Sequence, residues 1–205
     1  MKRTTLAFSA AMSLLALGLA FARVAFPAEL PPTSAYRLDV PLVDQDGRGL
    51  HFADGRGKPR LVSMFYTSCK YVCPLIIDTL MATERAIDPA DRARFDVLLV
   101  SFDPDRDDPA ALKRVADKRK LDATRWTLAR TEAPNVRKLA AVLGIQYRAL
   151  ADREFNHSSA LVLLDGEGRI VARTNTVGEI DPAFVAKVKE TPARGEAPGP
   201  QPTGL

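Results

Sequence analysis

The chain has 205 residues, 46% hydrophobic and 26% charged, an ordinary globular composition that excludes collagen-like repeats and wholesale disorder. Of its formal net charge of +4, two charges are Lys2 and Arg3; residues 23–205 carry 27 basic against 25 acidic residues, interleaved without the like-charge run that nucleic-acid binding needs. The only cysteines are Cys69 and Cys73, so a multi-bridge disulfide scaffold and a four-cysteine zinc site are excluded by counting.

In chain order, Lys2 and Arg3 precede an apolar run from Leu6 to Ala22, with no acidic residue before Glu29. Residues 1–22 therefore read as a signal peptide or a membrane anchor. Ala20-Phe21-Ala22 fits small-x-small cleavage, and the 17-residue run is at the lower edge of a membrane span. The run has no cysteine to lipidate, and either reading exports the folded part to a compartment where dithiols meet oxidants. Residues 23–35 form a Pro-rich linker, 36–190 the domain, and 191–205 a Pro/Gly-rich disordered tail.

Within the domain, Tyr36 to Val43 and Leu50 to Phe52 read as an N-terminal β-hairpin about Asp44-Gln45-Asp46-Gly47. RLVSMFY (60–66) and DVLLVSF (96–102) are apolar enough for buried strands. A helix is expected from about residue 72 or 74 to Ile87, and a second from the Asp108-Pro109 cap to about Leu121. Thr127 to Ala129 reads as a short strand, and Pro134 to Leu143 as a helix stopped by Gly144. Ala160 to Leu164 and Arg169 to Thr174 flank Asp165-Gly166-Glu167-Gly168, a hairpin signal, and Asp181-Pro182 opens a last helix. Strands alternating with helices predict an α/β thioredoxin-like fold, a central mixed β-sheet flanked by helices.

The cysteines fall in Tyr66-Thr67-Ser68-Cys69-Lys70-Tyr71-Val72-Cys73-Pro74, where a core strand gives way to a helix. In open α/β sheets, chemistry sits at this end of the strands. In helical geometry a CxxxC pair has Cα atoms roughly 6 Å apart, within disulfide range. The helix N-terminus and Lys70 both favour thiolate. Such a pair either cycles with a disulfide or holds a soft metal; a fixed bridge would close too small a loop to stabilise much.

Only two histidines exist. His157, in Glu154-Phe155-Asn156-His157-Ser158-Ser159, stands at a loop-to-strand junction and is a candidate ligand; His51 reads as an edge-strand surface residue. Two thiolates and a neutral imidazole suit copper, whereas zinc would want a fourth ligand. Met64 and Met81 are read as packing residues. Asp103 and Asp107, in SFDPDRDDP, are read as turn chemistry in preference to an acidic patch that tunes a metal or docks a partner.

YTSCKYVCP, SFDPDRDDP and NHSSALVLLDGEGRIV, in that order, resemble the Sco/SenC family over roughly 36–190. The resemblance implies an exported thioredoxin-fold protein that binds copper, as Cu(I) or Cu(II), and assists assembly of the copper centre of cytochrome c oxidase. It implies that Cys69, Cys73 and His157 are the metal ligands, and a metallochaperone rather than an enzyme. Its partners would be a copper-receiving oxidase subunit or another copper protein, and a thiol reductant; its location would be periplasmic, or anchored facing the periplasm. The chain departs from the family in having Lys70-Tyr71 where Pro-Asp is common. The alternative is a thiol–disulfide oxidoreductase in which Cys69 and Cys73 are the catalytic dithiol that reduces a partner's cysteines and His157 is dispensable. A peroxidase, or a plain interaction domain, has less in its favour.

Overall fold

The computed structural model describes residues 29–193, so the expected leader, residues 23–28 of the linker and the tail beyond 193 lie outside the described residues. The chain enters the fold through a 3-10 turn at Ala35–Arg37, where the Ser34 hydroxyl accepts the Tyr36 N–H at 3.1 Å. Tyr36 is buried with its ring edge against Phe52, 5.3 Å between centroids. The hairpin is accordingly shorter than the sequence suggests: β1 is Pro41–Asp44 and β2 is Gly49–His51. Its turn is closed by Asp44, whose Oδ1 accepts the N–H groups of Asp46 and Arg48 at 2.9 and 2.8 Å.

β3 (Arg60–Phe65) is buried along its whole length, as its largely apolar sequence suits. It leads through α1 (Val72–Arg85) to β4 (Asp96–Ser101), then through α2 (Pro109–Arg119) to β5 (Trp126–Arg130). The three strands are parallel, in the order β5-β4-β3. Asp108 caps α2 by accepting the Ala111 N–H at 2.6 Å. α3 (Ala133–Val142) ends before Gly144, whose φ of 60° is a left-handed conformation that costs glycine little.

Two strands that the sequence did not suggest follow, β6 (Tyr147–Ala149) and β7 (Phe155–His157), paired antiparallel as a separate two-stranded sheet. The chain then rejoins the main sheet through β8 (Leu161–Leu164), antiparallel to β3, turns into β9 (Ile170–Thr174), and ends in α4 (Pro182–Glu190). The seven-stranded order is β2-β1-β5-β4-β3-β8-β9, a mixed sheet flanked by helices in the thioredoxin manner. Leu61, Val62, Leu98, Leu99 and Leu163 are wholly shielded at its centre. At about 2 kcal/mol for each such side chain, this burial is a principal force holding the strands in place.

This topology positions the functional end. β8 runs against β3, with Val62 opposite Val162 and Leu61 opposite Leu163. Continued past the end of β3, that register brings residue 67 opposite residue 157. The segment just before β8 therefore lands beside the segment just after β3, and the Ser63 hydroxyl, donating to the Ala160 carbonyl at 2.7 Å, holds the two together.

Candidate metal centre

Cys69 lies in the loop after β3, half-buried, and Cys73 is the second residue of α1 and buried. The pair is thus not one turn of a continuous helix, as the spacing alone suggests. The loop folds the Cys69 sulfur over the start of α1, where the Cys73 N–H donates to it at 3.4 Å. That N–H is one of the four that a helix leaves without an internal partner. The cysteines are unbridged.

His157 belongs to β7 itself rather than to a loop, paired opposite Tyr147 in the small sheet. Its ring lies among aromatic side chains, with centroids 4.9 Å from Phe102 and 6.0 Å from Tyr66. Nδ1–H donates to the Ser158 carbonyl at 3.2 Å, and a carbonyl can only accept, so the proton of the neutral ring sits on Nδ1. The lone pair of Nε2 then faces the Cys73 sulfur, 3.8 Å away. Among the described residues, Cys69 Sγ, Cys73 Sγ and a His157 ring nitrogen form one convergent donor set, all within 4.8 Å of one another. The other histidine stays apart on edge strand β2, exposed, with Nδ1 2.9 Å from Asp39.

The two thiols are shifted in opposite directions. At Cys73 burial dominates and pushes the thiol up, with the Cys69 sulfur and the Asp107 carboxylate adding to the rise. At Cys69 burial also raises the value, but the N–H groups of Cys73 and Tyr71, the Cys73 thiol and the Tyr66 hydroxyl together outweigh it and lower the thiol. These groups, and not the exposed Lys70, are the main stabilisers of the Cys69 thiolate. Burial also holds His157 below the ordinary imidazole value, keeping the ring neutral near pH 7. Thiolate is the reactive species, so lowering its value moves reactivity to lower pH. Iodoacetamide labelling of the reduced chain, read by peptide mapping, is expected to modify Cys69 with a pH midpoint below the ordinary thiol value of about 8.5. Cys73 follows only at higher pH; parallel labelling of the two would contradict this asymmetry.

Several residues around the centre do more than the sequence indicates. The Tyr66 hydroxyl donates to Glu154 Oε2 at 2.7 Å and lies against the Cys69 sulfur; burial, then Glu154 and Cys69, push the phenol up. Asp107 is not only a turn residue. Its carboxylate is fully shielded and accepts the Thr67 N–H at 3.0 Å, the Thr67 hydroxyl at 2.5 Å and the Ser101 hydroxyl, joining the end of β4 to the cysteine loop. Asp103 is buried and paired with Arg106, whose guanidinium also reaches the Arg153 carbonyl in the β6–β7 turn. Met64 is core and Met81 packs against it, as expected of packing residues.

With this geometry established, likeness to known proteins is informative. A family model described as SCO1/SenC matches residues 30–191. A solved protein of Aquifex aeolicus VF5 is 26% identical, over 73% of this chain and 88% of that one, with a TM-score of 0.66. A SCO1/SenC family lipoprotein from Bacillus anthracis is 20% identical, over 75% and 93%, with a TM-score of 0.68. Bradyrhizobium japonicum ScoI, solved with copper bound, is 21% identical over 75% and 98%, with a TM-score of 0.61. The last two likenesses speak for the fold alone. No curated protein matches the chain.

Proposed function

Because the chain belongs to the SCO1/SenC family, we propose that it is an exported copper metallochaperone that holds copper through Cys69, Cys73 and His157 and passes it to the copper centre of cytochrome c oxidase. The observation that carries this reading is the convergence of two sulfurs and a ring nitrogen within 4.8 Å at the end of β3. Thiolate and imidazole are the donors that select copper over hard cations. The chain's own residues prepare each donor. Helix N–H groups favour the Cys69 thiolate, and Ser158 fixes the tautomer that leaves Nε2 open. Cys73 enters the set only by losing its proton, so copper uptake releases a proton and affinity rises with pH. Two thiolates and Cu(I) carry a net charge of −1, which the neighbouring Lys70 partly offsets. Export rests on the leader reading of residues 1–22; among the described residues no helix is long and apolar enough to cross a membrane.

The test is a Cu(I) titration of the reduced chain against a competing chelator. One equivalent is expected to bind tightly, and Cys69→Ser or Cys73→Ser each to abolish competitive binding. A single-cysteine variant with full affinity would refute the ligand set.

The opposed thiol shifts also favour a second reading, thiol–disulfide exchange. The Cys69 thiolate would attack a partner's disulfide, breaking its S–S bond and expelling one partner thiolate. Cys73, after losing its proton, would then displace the second and close the Cys69–Cys73 bridge, two electrons passing to the partner. The two readings are compatible, since Cu(I) binding needs the thiols reduced.

A further inference from the structure

Between α1 and α2 lies a cleft that has Cys69 and Cys73 in its lining and extends beyond the three candidate ligands. Its walls include Pro74 and Ile77 of α1 and Val115 of α2; Cys69 opens into it, and Lys118 and Arg119 stand at its rim. Its volume is about 140 Å3. That is well below the roughly 300–1,000 Å3 of a small-molecule or cofactor site, so it fits one large side chain rather than a free ligand. The wall is apolar while the rim is cationic. Arg119 is paired with Asp78 at 2.7 Å, but Lys118 is exposed and makes no ion pair among the described residues. Arg114 on the same helix, Lys120 just past its end, and Lys70 beside Cys69 are exposed too. The nearby carboxylates are engaged, Asp78 with Arg119 and Asp117 with Lys113 at 3.6 Å. Tyr71, next in the cysteine loop, is 83% exposed, a large apolar surface for a residue flanking a reactive thiol.

We infer that this cleft is the docking groove for the partner segment that meets Cys69, and that this segment carries a large apolar side chain beside carboxylates. The apolar wall would take the side chain and the Lys118 rim the carboxylates, bringing the segment's thiol or disulfide against the Cys69 sulfur. The inference rests on the reading of Cys69 as the more accessible, reacting member of the site. It explains Lys70-Tyr71 as a cationic and apolar extension of the same surface.

The test measures second-order rates of the reduced full chain with three disulfides: the anionic aromatic dithiobis(nitrobenzoate), the anionic aliphatic dithiodipropionate, and the cationic cystamine. In each reaction the Cys69 thiolate attacks one sulfur, the probe's S–S bond breaks and one probe thiolate leaves. Rates are divided by those of the urea-unfolded chain, which removes each probe's intrinsic reactivity. The folded chain is expected to prefer the aromatic anion over cystamine by about tenfold, less so the aliphatic anion, with the preference shrinking as salt is raised. Lys118→Glu should abolish the preference, and Lys187→Glu on α4 should leave it unchanged. Equal normalised rates for all three probes, or a preference that survives Lys118→Glu, would overturn the groove. Copper titration of the same proteins reads the metal site separately. Lys118→Glu that loses the preference yet holds one equivalent of Cu(I) supports the groove on an intact site. A wild-type chain that discriminates among the probes but binds no copper overturns the metal reading and leaves the groove standing.

Discussion

His157→Ala is expected to weaken Cu(I) binding by about 100-fold or more while leaving the dithiol able to cycle. The magnitude follows from the donor set. Changes to groups that only orient a ligand cost metal sites about 10–100-fold; on the proposed ligand set a ligand itself is removed here, although two thiolates would still hold a soft ion. Redox cycling survives because the Cys69 thiolate is stabilised chiefly by N–H groups at the start of α1, which the substitution does not touch. Competitive chelator titration and the thiol–disulfide equilibrium with glutathione, run on the same preparation, read the two properties apart. Unchanged copper affinity would end the three-ligand scheme; loss of both properties would mean that β6–β7 had come away from the site.

Asp107→Ala is expected to destabilise the fold by about 3 kcal/mol and to loosen the cysteine loop. The carboxylate is wholly shielded, and its removal strands the fully buried Ser101 hydroxyl and the partly buried Thr67 N–H and hydroxyl. An orphaned buried donor costs about 1–3 kcal/mol, and local rearrangement recovers part of the sum. Asp107→Asn keeps one carbonyl oxygen as acceptor but turns an NH2 group towards the remaining donors, so it should fall between wild type and Asp107→Ala. Urea midpoints give the ranking, and the Cu(I) titration shows whether the loop still presents Cys69. Wild-type stability in Asp107→Ala would show that the carboxylate does not hold the loop.

The strands and helices that build the core were legible because each carries its own local signal. Apolar runs mark β3, β4 and β8, Asp-Pro pairs open α2 and α4, and Gly144 follows α3. Tyr36 misled because an aromatic residue near a hairpin resembles a strand; its burial comes instead from a turn that Ser34 caps and Phe52 covers. β6 and β7 left no trace, being three residues each, largely unburied and defined only by pairing with one another. The cysteine motif and the scarcity of histidine singled out the three donors, but not their meeting, which depends on β8 running against β3. Asp107 was hidden for a related reason. Its burial is created by two loops crossing, and one sequence holds no sign of which loops cross.

Cys73 and His157 stand 84 residues apart in the chain, on a helix of the main fold and on a hairpin outside its sheet. On the proposed ligand set, an ion joining them is a staple as well as a cargo. It closes a loop containing about half of the domain, and cross-linking so long a segment removes conformational freedom mainly from the unfolded chain. The loaded protein is then more resistant to unfolding than the empty one, by about 4 kcal/mol when free metal stands at a thousand times its dissociation constant. The same linkage sets a condition on delivery. An ion that contributes to its carrier's own stability leaves only for a site that holds it more strongly, so the recipient must outbid the carrier's fold as well as its three ligand atoms.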